Sequence, residues 1–174
     1  IGMGLTSGDA LTTGTDNVAI GRLSLSASTD GADNIAIGRS SLAVSGNDGD
    51  NNVAIGLSAM GGADVSGIEN IAIGSTAMDA LTSGICNIAI GRDALGASTT
   101  GCDNIAIGQL ALGAGVTTGL GRNIAIGKSA MDAMTTGYLN VAMSENALGS
   151  NTTGCYNVAI GTAALGASVT GKCN

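Results

Sequence analysis

Asn104-Ile105-Ala106-Ile107-Gly108 is one copy of a phrase that this chain of 174 residues carries nine times. The other copies start at Asn17, Asn34, Asn52, Asn70, Asn87, Asn123, Asn140 and Asn157, and a tenth asparagine, Asn174, closes the sequence. Successive anchors lie 17, 18, 18, 17, 17, 19, 17, 17 and 17 residues apart. So short and faithful a period is the signature of a solenoid, in which each unit buries its apolar face only by stacking on its neighbours. Residues 1–174 therefore read as a single repeat domain of about ten rungs, each 17–18 residues long.

Working outward from the asparagine, each column of the repeat has its own chemistry. The first residue after it is always Val or Ile, and the second is Ala in all nine copies. The third is Ile except for Met143, and the fourth is Gly except for Ser144. The seventh is Ser24, Ser41 and then Ala, and the eighth is Leu or Met from Leu25 to Leu165. A second glycine column stands three residues before the anchor, from Gly14 to Gly171, and the 19-residue unit shifts it to Gly119.

The V-A-I triplet predicts a three-residue strand that the following Gly ends. The fold class expected is all-β, a parallel β-solenoid or β-roll with rungs about 4.8 Å apart, so that ten rungs span about 48 Å. Both glycine columns are expected at turns that need positive φ. The small-Leu pair predicts a second apolar strip, either a strand or one tight helical turn. Absence of Pro fits a continuous ladder, in which every N–H is needed. The asparagines are either an in-register amide ladder or turn formers.

With Val and Ile expected to face inward, the Ala between them faces outward. A small apolar stripe running the length of the roll asks for another surface packed closely on it. Ala19, Ala36, Ala54, Ala72, Ala89, Ala106, Ala125, Ala142 and Ala159 are thus the expected seam between chains, best suited to a three-fold bundle of parallel solenoids. On this reading, Ala106→Glu with Ala125→Glu dissociates the oligomer and leaves the β-structure. The other reading of the column has Ala filling a narrow second layer inside one chain.

Four cysteines, Cys86, Cys102, Cys155 and Cys173, lie one or two residues before an anchor, in pairs 16 and 18 residues apart. Rung spacing puts paired Cα atoms roughly 5–7 Å apart, within disulfide reach. Cys86–Cys102 and Cys155–Cys173 are therefore candidate rung-to-rung bridges in an oxidising setting, with free thiols as the alternative. Charge is also columnar. Asp16, Asp33, Glu69 and Asp103 precede the anchor, and Arg22, Arg39, Arg92 and Lys128 follow it by five. They either pair between rungs or chains, for ~0–1 kcal/mol each, or form a solvated rim.

Composition excludes much. A hydrophobic content of 44 % and a mean hydropathy of +0.38 exclude the polar signature of disorder. Glycine without a three-residue period and without Pro excludes collagen. A net charge of −7 with six basic residues argues against nucleic acid as a partner. No apolar run approaches the roughly 18 residues of a spanning helix, so no membrane insertion is expected. With no His, no Cys-x-x-Cys, no clustered carboxylates and no phosphate-binding glycine motif, neither enzyme, metal site nor cofactor is expected. The Thr-Thr-Gly corners (Thr12-Thr13, Thr99-Thr100, Thr117-Thr118, Thr135-Thr136, Thr152-Thr153) read as turn chemistry rather than an ice-binding face.

The unit N-[VI]-A-I-G-x-x-A-[LM]-x-x-x-T-T-G-x-x resembles the repeats of trimeric autotransporter adhesin heads and the similar repeats of bacteriophage tail fibres, over nearly the whole chain. The resemblance implies a left-handed β-roll and a homotrimer. The period here is longer than in adhesin heads, and neither a coiled-coil stalk nor a membrane anchor is expected within these 174 residues. The chain, which starts inside an I-G at Ile1, is expected to be a segment of a longer fibre, located extracellularly, at a cell surface or on a virion. Its expected function is a rigid, non-catalytic structural shaft. The alternatives are an adhesin or receptor-binding head that takes a host-surface receptor or glycan, and a subunit of a head-to-tail filament.

Overall fold

The computed structural model describes residues 1–44, 49–115 and 121–174. The Thr117-Thr118 corner and Gly119 lie outside the described residues. Ten strands follow one another along the chain: β1 (Gly2–Met3), β2 (Val18–Ile20), β3 (Ile35–Ile37), β4 (Val53–Ile55), β5 (Ile71–Ile73), β6 (Ile88–Ile90), β7 (Ile105–Ile107), β8 (Ile124–Ile126), β9 (Val141–Met143) and β10 (Val158–Ile160). They form one parallel sheet in sequence order. Ala pairs with Ala in every rung from β2 to β10, for example Ala89 with Ala106 and Ala106 with Ala125. The molecule is therefore a parallel β-solenoid with one strand per coil, and there is no helix among the described residues.

The Leu/Met strip is neither a strand nor a helical turn. It is a run of turns that stack rung on rung through backbone bonds such as Met60 N–H to Ala77 O at 2.9 Å and Leu95 N–H to Ala111 O at 3.0 Å. The sixth and eighth residues after each anchor are left-handed, with Leu25, Leu95 and Leu112 at φ of 50, 50 and 51°. Leu and Met, unbranched at Cβ, take this conformation with less strain than Val or Ile, in keeping with an eighth column that is Leu or Met throughout. Each such residue costs on the order of 1 kcal/mol of backbone strain. Burial of a Leu or Met side chain offsets it by about 1.5–3 kcal/mol, and Leu25, Met60, Met78, Leu112 and Met131 are fully buried.

The two glycine columns have different causes. The column after the strand takes positive φ, 131° at Gly108. The column three residues before the anchor is set by contact between rungs, since a Cβ on Gly84 would stand 2.4 Å from the Gly101 carbonyl oxygen. Close approach, and not a left-handed turn, excludes a side chain there.

The strand faces run opposite to the sequence expectation. The Ala column points inward and is buried throughout, while Ile73, Ile90, Ile107 and Ile126 are 36–38 % exposed. The physical reason is parity. Side chains alternate along a strand, and the anchor two residues before each Ala is itself buried, as Asn87, Asn104 and Asn123 are. Burying the amide ladder therefore turns Ala inward and the β-branched pair outward. The interior is also thin: Ala from the strand shares the core with the Ala and the Leu or Met of the turns.

Candidate functional site: a buried amide ladder and an outer apolar face

The asparagines form a continuous ladder, so they are more than turn formers. Asn87 shows the unit. Its Oδ1 accepts from the backbone N–H of Asn104 at 3.0 Å and from Asn104 Nδ2 at 3.1 Å. Its own Nδ2 donates to Asn70 Oδ1 at 3.0 Å and to Gly101 O at 2.7 Å. Both donors and both lone pairs are thereby used, the complete complement of a primary amide. The pattern repeats at Asn140, whose Nδ2 reaches Asn123 Oδ1 and Gly154 O and whose Oδ1 accepts from Asn157. Full satisfaction is what lets a polar column stand in the core.

Because the nine alanines lie inside, they cannot form a seam between chains. Ala19, Ala36, Ala54, Ala72, Ala89, Ala106, Ala125, Ala142 and Ala159 are at most 2 % exposed in a single chain. The surface at this place consists instead of the residues on either side of each Ala. Ile88, Ile105 and Ile124 stand in one column, and Ile90, Ile107 and Ile126 in the other. Nine rungs of two such columns make a stripe of roughly 450 Å² at a rung spacing of about 4.8 Å, a size at which apolar patches on single chains are often functional.

No disulfide joins the four cysteines in this structure. Each pair joins a residue one before the anchor to a residue two before it on the adjacent rung. Cys86 Sγ donates to Glu69 Oε2 on the preceding rung at 3.3 Å, and that carboxylate pushes the Cys86 thiol pKa up. Cys102 Sγ donates to Thr100 O at 3.5 Å. Cys155 is buried and Cys173 exposed.

Two ion pairs each run up a single column from rung to rung, whereas Arg92 and Asp93, at 3.9 Å, are neighbours within one rung. Arg122 lies 3.6 Å from Asp103, and Lys128 lies 3.1 Å from Glu145, all well exposed. The first Thr of the corners donates its hydroxyl to the next rung, as from Thr82 to Thr99 O at 3.0 Å and from Thr135 to Thr152 O at 3.0 Å. Those hydroxyls serve the coil itself.

One constellation was only loosely legible in the sequence. Tyr138 and Tyr156, the two aromatic residues of the chain, meet edge to face with ring centroids 5.4 Å apart. With the exposed Leu139 they form an amphipathic corner that continues into Val158 and Ile160. Hydrogen bonding to Cys155, then the neighbouring Tyr156, pushes the Tyr138 hydroxyl pKa up. The signal in the sequence was an 18-residue offset between positions two and one before their anchors, which places the rings on a diagonal.

Among the described residues no group of three or more His, Cys, Asp or Glu is arranged to hold a metal ion. No helix is long and apolar enough to cross a membrane. No family model, no curated protein and no solved structure matches the chain.

Proposed function

We propose that this chain is a non-catalytic shaft segment of an extracellular or virion fibre, assembled side by side as a parallel homotrimer along the outer face of its sheet. The observation that carries the reading is the uncovered pair of apolar columns, Ile or Val at every rung except Met143, from Val18 and Ile20 in β2 to Val158 and Ile160 in β10. An apolar stripe parallel to the axis repeats at the same spacing on every copy, so identical chains match rung for rung. The buried amide ladder ties each rung to the next, which suits a part whose work is length and stiffness.

The test is the native mass of the chain and of Ile107→Lys with Ile126→Lys. The proposal expects a trimer that the double variant reduces to a single chain with β-structure retained. A monomeric parent chain overturns it, and a ladder of ever larger species favours the head-to-tail filament instead.

The adhesin alternative is favoured by one observation, the Tyr138–Tyr156 corner, because exposed Tyr offers large contact area with a polar tip. If the chain is a binding head for a surface receptor or glycan, Tyr138→Ala with Tyr156→Ala abolishes attachment to target cells without changing the native mass.

A further inference from the structure

The parity that turns Asn and Ala inward also decides where the charges of each rung lie. Asn17 and Ala19 are buried, whereas Asp16, one before the anchor, and Arg22, five after it, are exposed. Asp33 and Arg39 repeat the arrangement on the next rung. The outer face therefore carries two apolar columns bordered by an edge column on either side. On these first two full rungs one edge is acidic and the other is basic. The apolar columns stand between them, and among the described residues none of these four charges has an ion-pair partner within its own chain.

A parallel neighbour at the same level turns its basic edge toward the acidic edge of the first chain. Asp16 then meets the next copy's Arg22, and Asp33 meets its Arg39. An antiparallel neighbour packed on the same face turns each edge toward its own kind and, at full overlap, sets Glu69 against Asp103. One rung runs against level packing, because it brings Arg122 opposite the next copy's Lys128. Both of these are already neutralised at home, Arg122 by Asp103 at 3.6 Å and Lys128 by Glu145 at 3.1 Å. The charges are thus paired inside the chain where level packing sets like against like, and left open where it sets opposites together.

We infer that Asp16 with Arg22, and Asp33 with Arg39, pair between neighbouring copies and hold the assembled chains parallel and level. This rests on the side-by-side assembly proposed above and adds its polarity and register. A closed ring of identical chains repeats one heterologous contact and admits no stagger, so the level pairs are the ones it makes. Such rim pairs select orientation more than they add affinity.

The experiment reads native mass over a dilution series, taking the concentration at which half the chain is assembled, with circular dichroism on every variant. Asp16→Arg with Asp33→Arg reverses one edge, and Arg22→Glu with Arg39→Glu reverses the other. Both columns already hold these residue types, at Arg122 with a left-handed φ of 50° and at Glu145. Each double variant should raise the half-assembly concentration about 100-fold, and all four changes together should return it to within about 10-fold of the parent. Net charge alone forecasts the opposite for the first variant, which gains four positive charges and moves the chain from −7 to −3, easing repulsion between copies. The milder Asp16→Asn with Asp33→Asn, which places the amide that Asn51 already carries in this column, should raise it about 10-fold. Reversals that leave the half-assembly concentration unmoved, or an acidic-edge variant that assembles more tightly, overturn the edge pairing and leave the side-by-side assembly standing. Failure of the fourfold swap to restore assembly also overturns the pairing. A parent of single-chain mass overturns both readings.

Discussion

The two faces of a single three-residue strand differ more than any two distant parts of this molecule. In β7, Ala106 is fully buried while Ile107, its neighbour, is 36 % exposed. The larger and more apolar residue is the one left outside. Hydrophobicity therefore does not decide which side faces the core. The buried amide of Asn104 decides it, because Asn104 and Ala106 share one side of the strand and the amide needs its partners on Asn87 and Asn123. The outer face is then free to take β-branched residues, which the extended backbone favours, and to offer them to another surface.

The sharpest test of that contrast sets Ala106→Glu against Ile107→Glu. The first places an unpaired carboxylate in a closed interior, and we expect the roll to lose more than about 4 kcal/mol and melt as a whole. The second leaves the fold of a single chain nearly unchanged, within roughly 1 kcal/mol. Thermal melts followed by circular dichroism distinguish them, and equal losses would refute the inward and outward assignment.

Next in size is Asn87→Ala, which strips two bonds from Asn70 and Gly101 and orphans the N–H and amide of Asn104. Leaving buried donors and acceptors without partners is expected to cost about 2–4 kcal/mol in a denaturant titration. A loss below about 1 kcal/mol would mean that the ladder is ornamental and that parity has another cause.

Ser144→Gly works in the other direction. Ser144 sits in the glycine column with φ of 102°, a backbone conformation that strains a residue carrying a Cβ. Relief of that strain should stabilise the chain by about 1 kcal/mol, read as a raised Tm.

The smallest effect is expected at Asp79, half-buried on the wall opposite the sheet, with one carboxylate oxygen that has no hydrogen-bond partner. Burial, then the charge of Asp93, raises its pKa, against a hydrogen bond from the Gly62 backbone. A carboxyl whose folded pKa is raised favours the folded state only while protonated, and that contribution is lost as pH rises through the folded value. Asp79→Asn should therefore raise Tm at neutral pH, with a gain that vanishes below the ordinary carboxylate range. An equal gain at every pH would show that charge is not the cause.

Much of this was legible in the columns. The anchors at Asn17 to Asn174 counted the rungs, the β-branched pairs marked the strands, and the Leu/Met column from Leu25 to Leu148 named core residues that are buried. The error over Ala came from applying to a narrow coil the rule that β-branched residues go inside. The clue was present: an anchor buried as a ladder and an Ala two residues later must point the same way. The Gly84 column was likewise read as a turn, because a repeat cannot reveal that its neighbour's carbonyl lies within 2.4 Å of a missing Cβ.

The sequence by itself determined the period, the parallel register and the strand positions, since those depend on spacing and on local backbone preference. Tertiary structure alone decided which strand face is the interior and that the rings of Tyr138 and Tyr156 meet across two rungs. Both are settled by contacts between rungs some 17 residues apart, where the amide of one coil meets the amide of the next. One coil read alone contains neither partner.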